Sequence, residues 1–572
     1  MPVPQPAHLI ADALGEAAVP GDAAFCNVAA HLPQMARRVP DHNALIVTKA
    51  RMSRGRAIYE TRSFLEFERL TNRYAHALVK IGVRRGMRTL MMVRPGVEFI
   101  GLTFALFKIG AVVVLIDPGM GLGRMLECIR GVTPEALVAV GRAHVLRAIR
   151  PKPFASVTCS VTVGKRWLCG GPSLDWLARN ACDEFEPART RGDETAAILF
   201  TSGATGPAKG VVYEHAMFDA QVRLLRDFFK IQPGEIDLPA FPLFALFNPA
   251  LGMTSVIPDM DAAKPARVNP AHIVEAIRDQ GVTNTFGSPA VWTRVADYCA
   301  QDRIKLPSLK RILIAGAPVS YHVIQKLHQV IGEDADVYTP YGATEALPIA
   351  AIAGRTVVAE TASNARRGAG ICVGCVLPQI TLRIIRISDE PIEAWSDELL
   401  LPDGQIGEIV VQGPVVTKSY AHQPRATAMA KIWDGEHIWH RMGDVGYRDD
   451  RGRIWFCGRK NHRVVTPEGT LFSVPCEAIF NEHPEVLCSA LVGVGPLGRR
   501  EPVIIVQLKR PCDPLGSRRR VVARELRELA RAHDLTRTIS RVMFHRGFPV
   551  DVRHNAKINR EALGVWAKER LR

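Results

Sequence analysis

The chain has no long apolar run. Its longest, such as Ala111 to Ile116, fall far short of the roughly 20 residues needed to cross a bilayer, so no transmembrane helix is expected. The opening stretch MPVPQPAHLIADALGE lacks the basic start and unbroken apolar core of a secretory signal. A cytoplasmic setting is therefore expected, with the 12 cysteines mostly as reduced thiols. Cys372 and Cys375 form CVGC, but no second Cys pair or His pair stands at ligand spacing, so no cysteine-type metal centre is expected. An aromatic-interleaved basic stripe of the kind that stacks bases is also missing, which argues against nucleic acid. Internal repeats and low-complexity segments are absent.

What the chain does have is size and apolar content. At 572 residues, with 47% hydrophobic and 23% charged residues, it is globular and too long for one core. The net charge of +16 is uneven, because from Gly458 onward 22 Lys/Arg face 12 Asp/Glu. Arg518-Arg519-Arg520 leads into an amphipathic helix with Val522, Leu526 and Leu529 on one face. Its Arg/Glu face is most simply a solvated one, and its mixed charge gives only a weak attraction to an anionic membrane surface.

The periodicity predicts a helix near Phe25 to Val39 and an amphipathic one over Ser63 to Ile81, with Phe67, Leu70, Tyr74 and Leu78 on one face. A strand at Arg88 to Val93, a helix at Val97 to Ile109 and a buried strand at Ala111 to Ile116 follow, then a strand at Leu137 to Val140. Continuous apolar strands alternating with helices indicate a parallel sheet covered on both faces. Gly404 to Tyr420 reads as β structure with glycine turns.

The stretch AAILFTSGATGPAKGVVY, Ala196 to Tyr213, carries the first chemical signal. An apolar strand, Ala196 to Phe200, enters a loop and Val211 to Tyr213 returns from it. Gly203, Gly206 and Gly210 allow backbone N–H groups to approach an anion closely. Thr201, Ser202 and Thr205 add hydroxyls, and Lys209 adds a positive charge. A Walker A loop does not fit, because the second glycine of that pattern would fall on Ala208. Taken alone, such a loop is equally a plain hairpin turn.

Two further loops stand at predicted strand ends, where open α/β sheets place ligands. Arg311 to Ile314 runs into Ala315-Gly316-Ala317-Pro318, and Val337 to Tyr341 runs into Gly342-Ala343-Thr344-Glu345. With Met442-Gly443-Asp444, Gly458-Arg459-Lys460 and the ending PVDVRHNAKINREAL, these loops in this order resemble the adenylate-forming superfamily of acyl-CoA synthetases, luciferases and nonribosomal adenylation domains. The resemblance runs from about residue 40 onward. It implies ATP and Mg²⁺ as cofactors. Thr201, Ser202, Gly203, Thr205, Gly206 and Lys209 would hold phosphate, Gly316, Ala317, Pro318 and Tyr341 would border the adenine, and Gly342 would also lie at the nucleotide. Thr344 would meet the α-phosphate, Glu345 would hold Mg²⁺, Asp444 the ribose hydroxyls and Arg459 the nucleotide. Lys557 would be the catalytic lysine. In FPLFALFNPALG, Ala245 stands where relatives carry a histidine or aromatic residue, implying a wider acyl opening that Phe244 or Phe247 compensates. Gly287 and Ser288 would complete the substrate pocket.

The resemblance further implies a large multi-subdomain α/β N-terminal domain with parallel and mixed sheets over residues 1–457, a hinge at 458–463, and a small mobile α+β lid over 464–572 carrying Lys557. Met442 replaces the usual threonine, removing a hydroxyl. His462, Val464-Val465 and Pro467-Glu468-Gly469 depart from the usual thioester-forming loop, which makes a thiol acceptor less expected. The DVRHNAKINRE ending and FPLFALFNPALG are most similar to the branch that closes β-lactones in bacterial long-chain olefin biosynthesis. That likeness implies a 2-alkyl-3-hydroxyalkanoic acid substrate and association with the other enzymes of olefin formation, a β-lactone decarboxylase and a reductase. Two alternatives stay open, an ordinary long-chain acyl-CoA synthetase or acyl-AMP ligase, and a catalytically silent basic binding protein on the same fold.

Overall fold

The computed structural model describes residues 25–52, 55–166, 169–201, 208–496, 498–509, 517–550 and 558–571. Ser202, Gly203, Thr205, Gly206 and Lys557, with the side chain of Thr201, lie outside the described residues.

The predicted amphipathic helix forms at Phe64–Lys80, and its start is fixed by local chemistry. The Ser63 hydroxyl accepts from the Glu66 N–H at 3.2 Å while the Glu66 carboxylate accepts from the Ser63 N–H at 2.9 Å, satisfying two donors that a helix end leaves open. Phe64, Phe67, Tyr74 and Leu78 are buried, each contributing about 1.5–3 kcal/mol of apolar burial. The helix packs on Val97–Ile109, which is apolar on all sides and therefore interior. Its Lys108 is fully buried, donating to Glu68 (2.6 Å), Thr71 (2.8 Å) and Asn72 (2.5 Å). Burial still pushes that ammonium down to about 8.

These helices cover a sheet with spatial order Cys159–Val163, Ala136–Val140, Arg88–Met92, Val112–Ile116, Thr195–Thr201, Lys209–Glu214. All neighbours are parallel except the last pair. A second, larger sheet comprises fourteen strands among the described residues. Its parallel part runs from Asn43–Arg51 through Thr254–Ile257, Ile236–Pro239, Asn284–Gly287 and Arg311–Ile314 to Asp336–Ala343. Antiparallel strands continue it through Ala346–Ala353, Ile371–Val376, Ile454–Arg459, His437–Arg448 and Gly407–Gln412 to Thr381–Ile385. Cys372 is buried and Cys375 exposed on one of these strands.

The stretch 404–420 is strand only over Gly407–Gln412. Pro414 has no N–H to donate to a ladder. The chain beyond it makes isolated bridges instead, Val416 to Ala346 and Tyr420 to Val211.

After Arg459 the chain builds a smaller unit. A hairpin of Val464–Thr466 and Gly469–Leu471 precedes a three-stranded sheet of Val486–Val494, Glu501–Leu508 and Arg541–Phe544. Helices Ser473–Asn481, Ser517–Arg531 and Arg560–Arg570 pack around it. Val522 and Leu526 are buried as the pattern predicted, and Leu529 is half-buried. A large mixed α/β part and a small α+β part are the predicted fold class.

Candidate active site

Three parallel strands end side by side. Gly287 closes Asn284–Gly287, Ala315 follows Arg311–Ile314, and the Ala315 N–H donates to the Gly287 carbonyl at 3.0 Å. The Gly316–Pro318 loop and Ser288 therefore lie at adjoining strand ends, next to Tyr341 on Asp336–Ala343. Gly342 is required by space, since a Cβ there would meet the Ala346 carbonyl at 2.8 Å and the Leu347 Cβ at 2.9 Å.

Asp444 and Arg459 are opposite residues on paired antiparallel strands. Arg459 donates to Asp444 Oδ1 at 2.7 Å and to the Met442 carbonyl at 3.2 Å. The Tyr341 hydroxyl donates to Asp444 Oδ2 at 2.6 Å. Asp444 is 4% exposed, yet each of its oxygens keeps a second lone pair beyond these bonds. Burial, reinforced by Asp444, raises the Tyr341 phenol well above its usual range, so it remains a donor. The Asp444 charge likewise raises Arg459. Met442 turns its side chain into the core and contributes its carbonyl.

The Thr344-Glu345 turn is tied on two sides. The Tyr213 hydroxyl donates to the Thr344 carbonyl. The Thr417 N–H and hydroxyl donate to the Glu345 carbonyl at 2.9 and 3.0 Å, and the Tyr420 hydroxyl donates to Glu345 Oε1 at 2.8 Å. Lys209, at the start of the strand Lys209–Glu214, holds its Nζ 4.8 Å from the Tyr420 ring centroid, an attractive cation–π placement. Lys209, Glu345 and Tyr420 thus form one group, while Tyr341, Asp444 and Arg459 form another. The sequence reading missed Tyr213, Thr417 and Tyr420.

Among the described residues no cluster of three or more His, Cys, Asp or Glu can hold a metal ion. A single carboxylate at the turn fits Mg²⁺, which is typically held by one or two carboxylates plus substrate phosphates.

In the segment 241–252, Phe244 is half-buried and stacks on Phe286 with centroids 3.7 Å apart, whereas Ala245 and Phe247 are buried. Asn248, in the same segment, donates to Asp237 (2.9 Å) and to Ser255 (2.8 Å), and Asn284 donates to Asp237 at 2.7 Å. Burial pushes Asp237 up to about 6. The Ser288 hydroxyl is buried without a hydrogen-bond partner among the described residues.

At the link between the two parts, Lys460 donates to the fully buried Glu408 at 3.0 Å, which also receives Arg441 at 2.8 Å. Burial, with Arg560 and Arg459 nearby, pushes His462 down to about 3, so it is neutral.

A two-part α/β fold with loops gathered at parallel strand ends is a setting that suits an AMP-forming ligase. The family described as AMP-binding enzyme matches residues 32–421, and the chain belongs to it. It is 46% identical over 554 residues to the olefin beta-lactone synthetase of Xanthomonas campestris pv. campestris, covering 95% of this chain and 98% of that protein. The olefin beta-lactone synthetase of Stenotrophomonas maltophilia is 44% identical over 559 residues, covering 96% and 99%. The amide bond synthetase McbA from Marinactinospora thermotolerans superposes with a TM-score of 0.74 over 94% of this chain and 99% of its own, at 23% identity. ATP-bound MatB from Rhodopseudomonas palustris gives 0.74 over 96% and 100%, at 21% identity. These two likenesses establish the fold.

Proposed function

We propose that the chain is an ATP-dependent β-lactone synthetase acting on long-chain 2-alkyl-3-hydroxyalkanoic acids. The observation that carries this reading is the 46% identity, over 95% of the chain, to a protein named olefin beta-lactone synthetase. The Tyr341–Asp444–Arg459 and Lys209–Tyr420–Glu345 groups supply residues suited to each half of a nucleotide.

In the first step a substrate carboxylate oxygen attacks the α-phosphorus of ATP, and the bond to the bridging oxygen breaks to release pyrophosphate. Asp444 accepts the ribose hydroxyls on its free lone pairs, with Tyr341 and Arg459 fixing its orientation. Thr344 faces the α-phosphate, and Lys209 with the 201–206 loop receives the leaving pyrophosphate. Glu345 Oε2 is the oxygen for Mg²⁺, which when bound offsets phosphate charge. Such catalysis is mainly positioning and charge stabilisation. Lys557, brought by the small C-terminal unit, contacts the developing charge.

In the second step the substrate's own β-hydroxyl oxygen bonds to the adenylated carbonyl carbon and releases its proton to water. The carbon–oxygen bond to AMP breaks, AMP leaves with the electron pair, and a four-membered cis-β-lactone remains. A tethered nucleophile has a large effective molarity, and no thiol needs to be admitted past the altered hinge loop. Phe244, Ala245, Phe247, Gly287 and Ser288 line the acyl pocket in this reading. The enzyme works in the cytoplasm beside the decarboxylase and reductase of olefin formation.

The test is product analysis of purified protein with ATP, Mg²⁺ and a long-chain 2-alkyl-3-hydroxy acid, with and without CoA, resolved by NMR. The expected outcome is a β-lactone with AMP formed without CoA. A thioester formed only with CoA would assign the chain to the acyl-CoA synthetases instead.

A further inference from the structure

Lys431 begins the strand Lys431–Asp434 and is 2% exposed, behind the segment that carries Thr417 and Tyr420. Its Nζ donates to the Thr417 carbonyl and lies 3.4 Å from the Thr417 hydroxyl oxygen. Among the described residues its Nζ is hydrogen-bonded to Thr417 and not to a carboxylate. Its cross-strand partner is His440, which burial, with Lys431 itself, holds neutral. Glu345 attracts the ammonium and Lys209 opposes it.

Stripping water from an ammonium without a counter-ion is costly, several kcal/mol by order of magnitude. Ala430 and Ile432 flank the position, and an aliphatic side chain would avoid that cost there. The ammonium makes two things possible. It holds Thr417, whose N–H and hydroxyl both hold the Glu345 carbonyl. With Lys209, it also sets two cations around one carboxylate, Glu345, an excess of positive charge in a poorly hydrated region where charge interactions are strong. A bound anion would balance that excess without loss of the lysine proton, and a polyphosphate supplies the most negative charge.

We propose that Lys431 is a positioning residue of the phosphate site, which fixes the Thr417–Glu345 turn and adds a buried positive charge favouring a nucleoside triphosphate over the monophosphate. The inference rests on the nucleotide assignment made under Proposed function.

The full-length protein is titrated calorimetrically with α,β-methylene-ATP and with AMP, each with Mg²⁺, for wild type, Lys431→Gln and Thr417→Val. Gln keeps a donor for the Thr417 carbonyl but removes the charge. The expected result for Lys431→Gln is a loss of about tenfold in α,β-methylene-ATP affinity, with AMP changed by less than about twofold, a loss that tracks phosphate charge. Equal losses for both ligands, or none, would overturn the charge assignment. Thr417→Val leaves the ammonium but cuts the hydroxyl link, and is expected to weaken α,β-methylene-ATP several-fold. Wild-type binding by this variant would overturn the positioning assignment, and it keeps the proposal testable if Lys431→Gln fails to fold. A wild-type protein that binds neither nucleotide would instead sink the nucleotide reading itself, and this inference with it.

Discussion

Asp444→Asn is the most discriminating single change in the site. The carboxylate is 4% exposed and accepts from Tyr341 at 2.6 Å and from Arg459 at 2.7 Å. Asn keeps the shape but replaces one acceptor oxygen with an NH₂ that faces a donor. Folding should lose about 1–3 kcal/mol, the cost of mismatching one buried hydrogen bond, since the Arg459 side chain is 48% exposed and can return to water but Asp444 is buried. Nucleotide binding should suffer more. If Asp444 takes both ribose hydroxyls, the variant loses charge-assisted bonds each worth about 1.5–3 kcal/mol. Losing about 3–4 kcal/mol corresponds to about two to three orders of magnitude in kcat/KM for ATP. The assay is ATP–pyrophosphate exchange with ATP and with 2′-deoxy-ATP. Wild type should discriminate strongly against the deoxy nucleotide, and Asp444→Asn should lose most of that discrimination, as two changes in one contact are non-additive. Full retention of discrimination by the variant, or a kcat/KM for ATP within about fivefold of wild type, would refute the ribose assignment, given these magnitudes.

Two further outcomes follow from buried polar groups. Asn248→Leu removes a donor from the fully buried Asp237 and should cost about 2–3 kcal/mol in urea unfolding, with a raised KM for the acyl substrate because Asn248 anchors the segment carrying Phe244. An unchanged midpoint would show that Asp237 does not depend on that bond. For Lys431, burial pushes the ammonium down to about 7, while the unfolded chain keeps the usual lysine value near 10.4. Between those values the unfolded state binds more protons, so stability contributed by this site rises with pH above about 7 and is flat below it. Wild type should therefore gain on Lys431→Met by about 2 kcal/mol between pH 7 and 9, at up to about 1.4 kcal/mol per pH unit. Denaturant titrations of both proteins at the two pH values check it, and a constant difference would mean that Lys431 stays charged throughout. Triphosphate binding should act oppositely and draw the proton back.

The parts of the site that were legible in the sequence are those whose chemistry demands a residue type. A turn that admits no Cβ must carry glycine, as at Gly342, and Gly443-Asp444 stands out in a one-dimensional pattern because an acid inside a buried strand needs partners, here Tyr341 and Arg459. The helix at Phe64–Lys80 and the apolar strands were legible for a different reason, since periodicity and burial act over neighbouring residues. The supports were not legible. QGPVVTKSY alternates like a strand, but Pro414 diverts it, and its partners Ala346 and Val211 lie far away in the chain. Nothing local distinguishes Tyr420, reaching Glu345 75 residues away, from any other buried tyrosine.

Lys431 marks the limit of pattern reading from the other side. A lysine in AMAKIW reads as a surface residue, because lysine is seldom buried. Only the three-dimensional structure shows that it is enclosed and has no carboxylate partner among the described residues. The same energetic cost that makes such a position unexpected then makes it informative. An aliphatic residue would serve packing better, so the ammonium is explained by what it holds, the Thr417–Glu345 turn, and, on the proposal above, by the charge it offers a polyphosphate.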